Sequence, residues 1–162
     1  MLEMIAVTVD GAYGAEHELS TLRSSRNDPW LSEVSIIEHD TDGRYSVKAK
    51  NPDVENHHAG KGAAIGGFTG VFIGAIGGPF GLVLWAGLGT LVGGLIGAEK
   101  ESTFLPMVDA LKAMLGPDAS LLVLVGETPA IDALEAAVGA SSENVLRQPL
   151  TSDQARELSD AA

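Results

Sequence analysis

The sequence predicts an α+β domain interrupted by an apolar helical hairpin, and three observations predict it. Short β-branched runs alternate with segments whose apolar residues fall at helical spacing on both sides of the chain's middle. From Gly62 to Ala98 there are 37 consecutive residues without Asp, Glu, Lys, Arg or His. Fourteen of the 20 glycines lie between Gly60 and Gly97. The 162 residues suffice for one domain of ordinary size.

Met4-Ile5-Ala6-Val7-Thr8-Val9 is a short β-branched strand that ends at the turn signal Asp10-Gly11. Ala15, Leu19 and Leu22 then recur at helical spacing, with Glu16, Glu18 and Arg23 outward, so a helix is expected over about residues 14–26. Asn27-Asp28-Pro29 stops it. Leu31 to His39 reads as a second strand, and Asp40-Thr41-Asp42-Gly43 as a tight turn into Arg44–Ala49, giving a hairpin. Trp30 is expected to pack at the start of that second strand.

Beyond the glycine-rich stretch, Phe104, Val108, Leu111 and Leu115 mark one face of a helix closing at Gly116-Pro117. Ser120 to Val125 is continuously apolar after its first residue, which suits a central strand buried on both faces. Thr128 as N-cap, Pro129 at the first helical position and Gly139 past the end bracket another helix, with Ile131, Leu134 and Val138 inward. Asn144 to Gln148 is a last short strand, and Thr151-Ser152-Asp153-Gln154 is a capping-box pattern opening a terminal helix. The order matches a ferredoxin-like split βαβ sandwich with a C-terminal αβα extension. Residues 1–59 and 99–162 together form the sandwich, and residues 60–98 are the insert.

Within the insert, Gly62, Gly66, Gly70, Gly74 and Gly78 recur every four residues, and Gly89, Gly93 and Gly97 repeat the interval. That spacing puts the glycines on one helical face, a groove into which a second backbone settles at close range. Phe68, Phe72, Ile76, Phe80, Leu84, Trp85, Leu88, Leu91 and Leu95 fall on the remaining faces, toward lipid or a protein core. Gly77-Gly78-Pro79-Phe80-Gly81 is the turn between helices at about 61–77 and 80–98. Eight zipper glycines cost roughly 6–8 kcal/mol of helix propensity in water. A low-dielectric surrounding reverses the balance, because an unpaired peptide group there is worse still. Helices of this length are ~25 and ~28 Å long, just short of the hydrocarbon core, and suit a thinned crossing or a re-entrant insertion.

Charge sharpens the contrast. Of the formal net −12, the insert contributes only Lys61. Such acidity argues against a nucleic-acid partner, and the absence of cysteine excludes a disulfide scaffold, thiolate zinc and thiol catalysis. Met1-Leu2-Glu3-Met4 lacks the basic region of a secretory signal, and Arg44, Lys48, Lys50, Lys61 and Lys100 lie near the base of the insert in sequence. The expectation is a membrane location with the α/β domain on the cytoplasmic side. A cytoplasmic assembly, with the hairpins buried between subunits, is the alternative.

The chain resembles the bacterial domain-of-unknown-function family 1269, small proteins described as predicted membrane proteins. The residues that carry the resemblance are the strand Ile5–Asp10, the turn Asp42-Gly43-Arg44, the glycine-zipper insert, the strand Leu121–Val125, and the ending from Val145-Leu146-Arg147 to Leu150-Thr151-Ser152-Asp153-Gln154. The resemblance implies membrane association and supplies no activity.

Reactive constellations are weak. Gly60-Lys61-Gly62-Ala63-Ala64-Ile65-Gly66 imitates a phosphate-binding loop, but a polar linker containing Pro52 precedes it rather than a strand, and no Lys-Ser/Thr pair follows. His57-His58 with Asp53 and Glu55 offers metal-ligand chemistry or a pH-responsive base to the insert, although adjacent histidines point apart on regular backbone. No nucleophile-elbow pattern is present, and Glu16/Glu18 suit solvation better than acid–base chemistry. Trp85 and Phe80 suit interfacial anchoring or apolar packing. The expectation is therefore a non-enzymatic protein without cofactor, metal site or catalytic residues, whose partners are the lipid bilayer and copies of itself. Two rivals stand beside it: a soluble self-assembling structural protein, and a small-ligand module using the sheet face.

Overall fold

The computed structural model describes residues 1–49, 103, 105–139 and 144–160. Contacts divide the chain into two units, Met1–Pro52 with Leu111–Leu150 and Asp53–Ala110 with Thr151–Ala162. The whole of the expected insert, residues 60–98, lies outside the described residues, as does Phe104.

The first unit contains a five-stranded antiparallel sheet. Its strands are β1 (Leu2–Asp10), β2 (Ser35–His39), β3 (Tyr45–Ala49), β4 (Ala119–Glu127) and β5 (Val145–Pro149), in the order β3-β2-β4-β1-β5. Helices α1 (Gly14–Ser25) and α3 (Thr128–Val138) belong to this unit, and α2 (Leu105–Met114) straddles the unit boundary. The mixed α/β class read from the sequence is observed.

Strand placement follows burial. Residues Ser120–Val125 are all buried, and β4 takes the centre, paired with β1 from Leu2↔Glu127 to Asp10↔Ala119 and with β2 from Ser35↔Val123 to His39↔Ala119. The half-buried β5, Val-Leu-Arg-Gln-Pro, suits an edge, and it pairs directly with β1 rather than extending away from a finished sheet. The other edge falls to β3, which pairs with β2 and, among the described residues, with no other strand.

One face of the sheet and two helices share a core. Ile5 and Val7 of β1, Ile36 of β2, and Leu122 and Leu124 of β4 pack with Ala15, Leu19 and Leu22 of α1 and with Ile131 and Leu134 of α3. Each of the valine, leucine and isoleucine side chains among them contributes about 1.5–3 kcal/mol by leaving water. The helix-spaced triplet Ala15, Leu19, Leu22 is the buried stripe of α1, as its spacing requires. On the opposite face of β1, β2 and β4, Met4, Ala6, Ile37, Leu121, Val123 and Val125 are also buried.

The β2–β3 hairpin forms as expected. Asp40 N–H donates to the Arg44 carbonyl at 3.0 Å, Gly43 N–H to the Asp40 carbonyl at 3.2 Å, and Arg44 N–H to Asp40 Oδ1 at 2.8 Å. Gly43 sits at φ +80°, where a side chain is strained.

Two local expectations fail. Leu31 does not begin a strand: Pro29–Glu33 is a 3-10 turn in which Leu31 N–H donates to the Asp28 carbonyl at 3.1 Å, extended backbone resumes at Val34, and the strand begins at Ser35. Pro29 fixes the opening φ, and Arg23 Nη2 reaches across from α1 to the Leu31 carbonyl at 2.9 Å. Trp30 is buried in the core from this turn, not from a strand. Thr128 is not the N-cap of α3. It is already helical, Glu127 precedes the helix in extended conformation, and the threonine hydroxyl is committed elsewhere. Gly139 closes that helix in the left-handed conformation.

In the second unit, α4 (Ser152–Asp160) opens with the expected capping box: Gln154 N–H donates to Thr151 Oγ1 at 3.2 Å, and Thr151 N–H donates to Gln154 Oε1 at 2.9 Å. Gln154 Nε2 also donates to the Thr103 carbonyl at 3.1 Å.

Candidate functional site

Every residue expected to form the helix-packing face or the lipid- or core-facing surface, from Gly62 to Gly97, lies outside the described residues. So do Asp53, Glu55, His57 and His58, and the loop Gly60–Gly66. None of the described helices is long and apolar enough to cross a membrane. Two polar clusters that the described residues assemble sit at the two ends of β1.

At its first end is a cluster centred on Arg147. Arg147 of β5 stands opposite Ile5 of β1, so it projects on the same face as Ile5 and as Glu3, two residues earlier. Thr128, Asp132 and Glu135 fall at i, i+4 and i+7 on α3 and line one helical face. Arg147 Nε donates to Glu3 Oε2 at 2.7 Å, and its Nη1 lies 2.7 Å from Asp132 Oδ1 and 3.0 Å from Glu135 Oε2. Thr128 Oγ1 donates to Glu3 Oε1 at 2.8 Å, so both oxygens of Glu3 are engaged.

The bond from Arg147, and after it the bond from Thr128, holds the Glu3 carboxyl below its usual range. Arg147 is pushed further above its already high range, first by Glu3 and then by Asp132. A carboxylate so stabilised and so fully hydrogen-bonded is a poor proton acceptor. The arrangement suits a clasp joining β1, β5 and α3, not acid–base catalysis.

The opposite end of β1 is tied by a hydroxyl, backbone groups and one carboxylate oxygen. Ser120, fully buried on β4, accepts the Ala15 N–H at 2.8 Å and donates to the Gly11 carbonyl at 2.8 Å. Asp118 accepts the Gly11 N–H through its carbonyl at 3.0 Å and the Ala12 N–H through Oδ1 at 3.1 Å. Gly14 N–H donates to the Gly11 carbonyl at 3.0 Å, and a Cβ at Gly14 would stand 2.9 Å from Val9 Cγ1. The loop from Gly11 into α1 thus spends these donors inside the protein, where an anion cradle would turn them outward.

At the same end of the sheet, His39 Nδ1 donates to the carbonyls of Leu115 and Gly116 at 3.2 and 3.0 Å. Only a protonated nitrogen satisfies two carbonyl oxygens, which fixes the tautomer of a neutral ring. The imidazole stacks on Tyr45 with centroids 4.1 Å apart and planes 9° from parallel. Ser46 donates to the buried Glu38 at 2.8 Å. Among the described residues, no group of three or more His, Cys, Asp or Glu is placed to hold a metal ion.

Sequence reasoning missed the Arg147 cluster. Its available signals were the i, i+4, i+7 spacing of Thr128, Asp132 and Glu135 and a lone arginine in an otherwise uncharged edge strand, neither of which identifies Glu3 as the partner.

A family model described as "Protein of unknown function (DUF1269)" matches residues 63–162. No curated protein and no solved structure matches the chain.

Proposed function

The chain belongs to the DUF1269 family, and on that premise we propose that it is a non-enzymatic, membrane-associated protein that inserts a glycine-zipper hairpin into the bilayer and self-associates through it. One observation carries the reading: 37 consecutive residues, Gly62 to Ala98, contain no charged residue and no histidine, and eight of their glycines recur every four positions in two runs, Gly62 to Gly78 and Gly89 to Gly97. A stretch of that kind needs shelter from water, and its small-residue faces suit close backbone contact. In this reading the α/β domain lies on the cytoplasmic side, and lipid and further copies of the chain are the partners.

The finer fold description is part of the proposal. Strands β5-β1-β4-β2, all antiparallel, with α1 following β1 and α3 following β4, correspond to a ferredoxin-like sandwich. In this assignment β3 is an added edge strand, and the insert precedes the third strand of the motif rather than following it.

Carbonate-wash fractionation combined with native mass measurement tests the function. Retention in the washed membrane together with a small-number oligomer in detergent is expected. Recovery without detergent as a large monodisperse particle would instead support hairpins packed between subunits. Gly70→Leu with Gly93→Leu should reduce oligomer size; an unchanged oligomer and unchanged membrane retention would overturn the zipper.

A further inference from the structure

We draw no further inference here: the strongest candidate, the open groove of about 190 Å³ that Glu16, Leu19, Ser20, Arg23 and Ser24 of α1 form with Ile36 of β2, is walled chiefly by one helix face and holds nothing that points to a ligand.

Discussion

The two ends of β1 are fastened by different physics. At Glu3 the contacts are ionic and partly exposed: Arg147 keeps 31% of its side-chain surface, Asp132 60% and Glu135 40%. At Gly11–Ala15 they centre on a hydroxyl with no exposure and on backbone groups, with Asp118 Oδ1 accepting one N–H. Both ends join residues more than 100 positions apart. Salt therefore acts more strongly on the first, because screening weakens attraction between opposite charges, which the contacts of Gly11–Ala15 do not use, and acid discharges the Glu3 clasp.

The most drastic way to break the comparison is to remove β1 altogether. A polypeptide of residues 63–162 retains β4 and β5, which flank β1 and do not pair with each other. It should lack the native strand signature by circular dichroism, and a peptide of residues 1–49 should restore it. A native-like spectrum from the shorter polypeptide alone would show that the family-matched segment closes its own sheet.

Next in size is Ser120→Val, which strands the buried Ala15 N–H, while the Gly11 carbonyl keeps the Gly14 N–H. A loss of about 1–3 kcal/mol is expected from the urea midpoint. The loss should be equal at pH 4 and pH 7, since nothing removed there titrates.

Arg147→Met probes the other end. The Glu3 carboxyl titrates below its usual range in the folded protein, so its contribution to stability is complete above the ordinary carboxylate pKa and is lost as pH falls through the lowered value. The wild-type midpoint should therefore drop on acidification from pH 5 toward pH 3, and the variant should show a shallower drop. Parallel pH profiles would mean that the clasp contributes nothing measurable.

Smallest is the effect of salt. Raising sodium chloride from 0.1 to 1 M shortens the screening length from about 10 to 3 Å. It should narrow the difference between wild type and Arg147→Met while leaving the Ser120→Val difference unchanged.

What the sequence disclosed divides along the same line between local and distant. Ala15, Leu19 and Leu22 announced α1 because a helix's buried stripe is written in consecutive turns. Asp40–Gly43 announced the hairpin, and Thr151 with Gln154 announced the cap of α4, because each motif closes within a few residues. Ser120–Val125 announced a central strand because both its faces are apolar. Pairing partners were illegible: nothing near β5 records that it lies beside β1, and nothing near Thr128 records that its hydroxyl serves Glu3 instead of its own helix. The Leu31 error was one of competition, since apolar residues suited to a strand were drawn into a turn by Pro29 and by Arg23 from the neighbouring helix. Of the expected functional residues, Gly62 to Gly97, the spacing was plain in the sequence, and all lie outside the described residues.

The interleaving of β1 between two late strands also sets a timetable. At a ribosomal rate of about 5–20 residues per second, β1 waits roughly 5–20 s for β4 to be synthesised. The uncharged stretch, Gly62 to Ala98, is synthesised within that interval, before β4 and β5 can complete the sheet. On the proposed reading, the hairpin meets lipid or a second copy while the domain that carries it is still open.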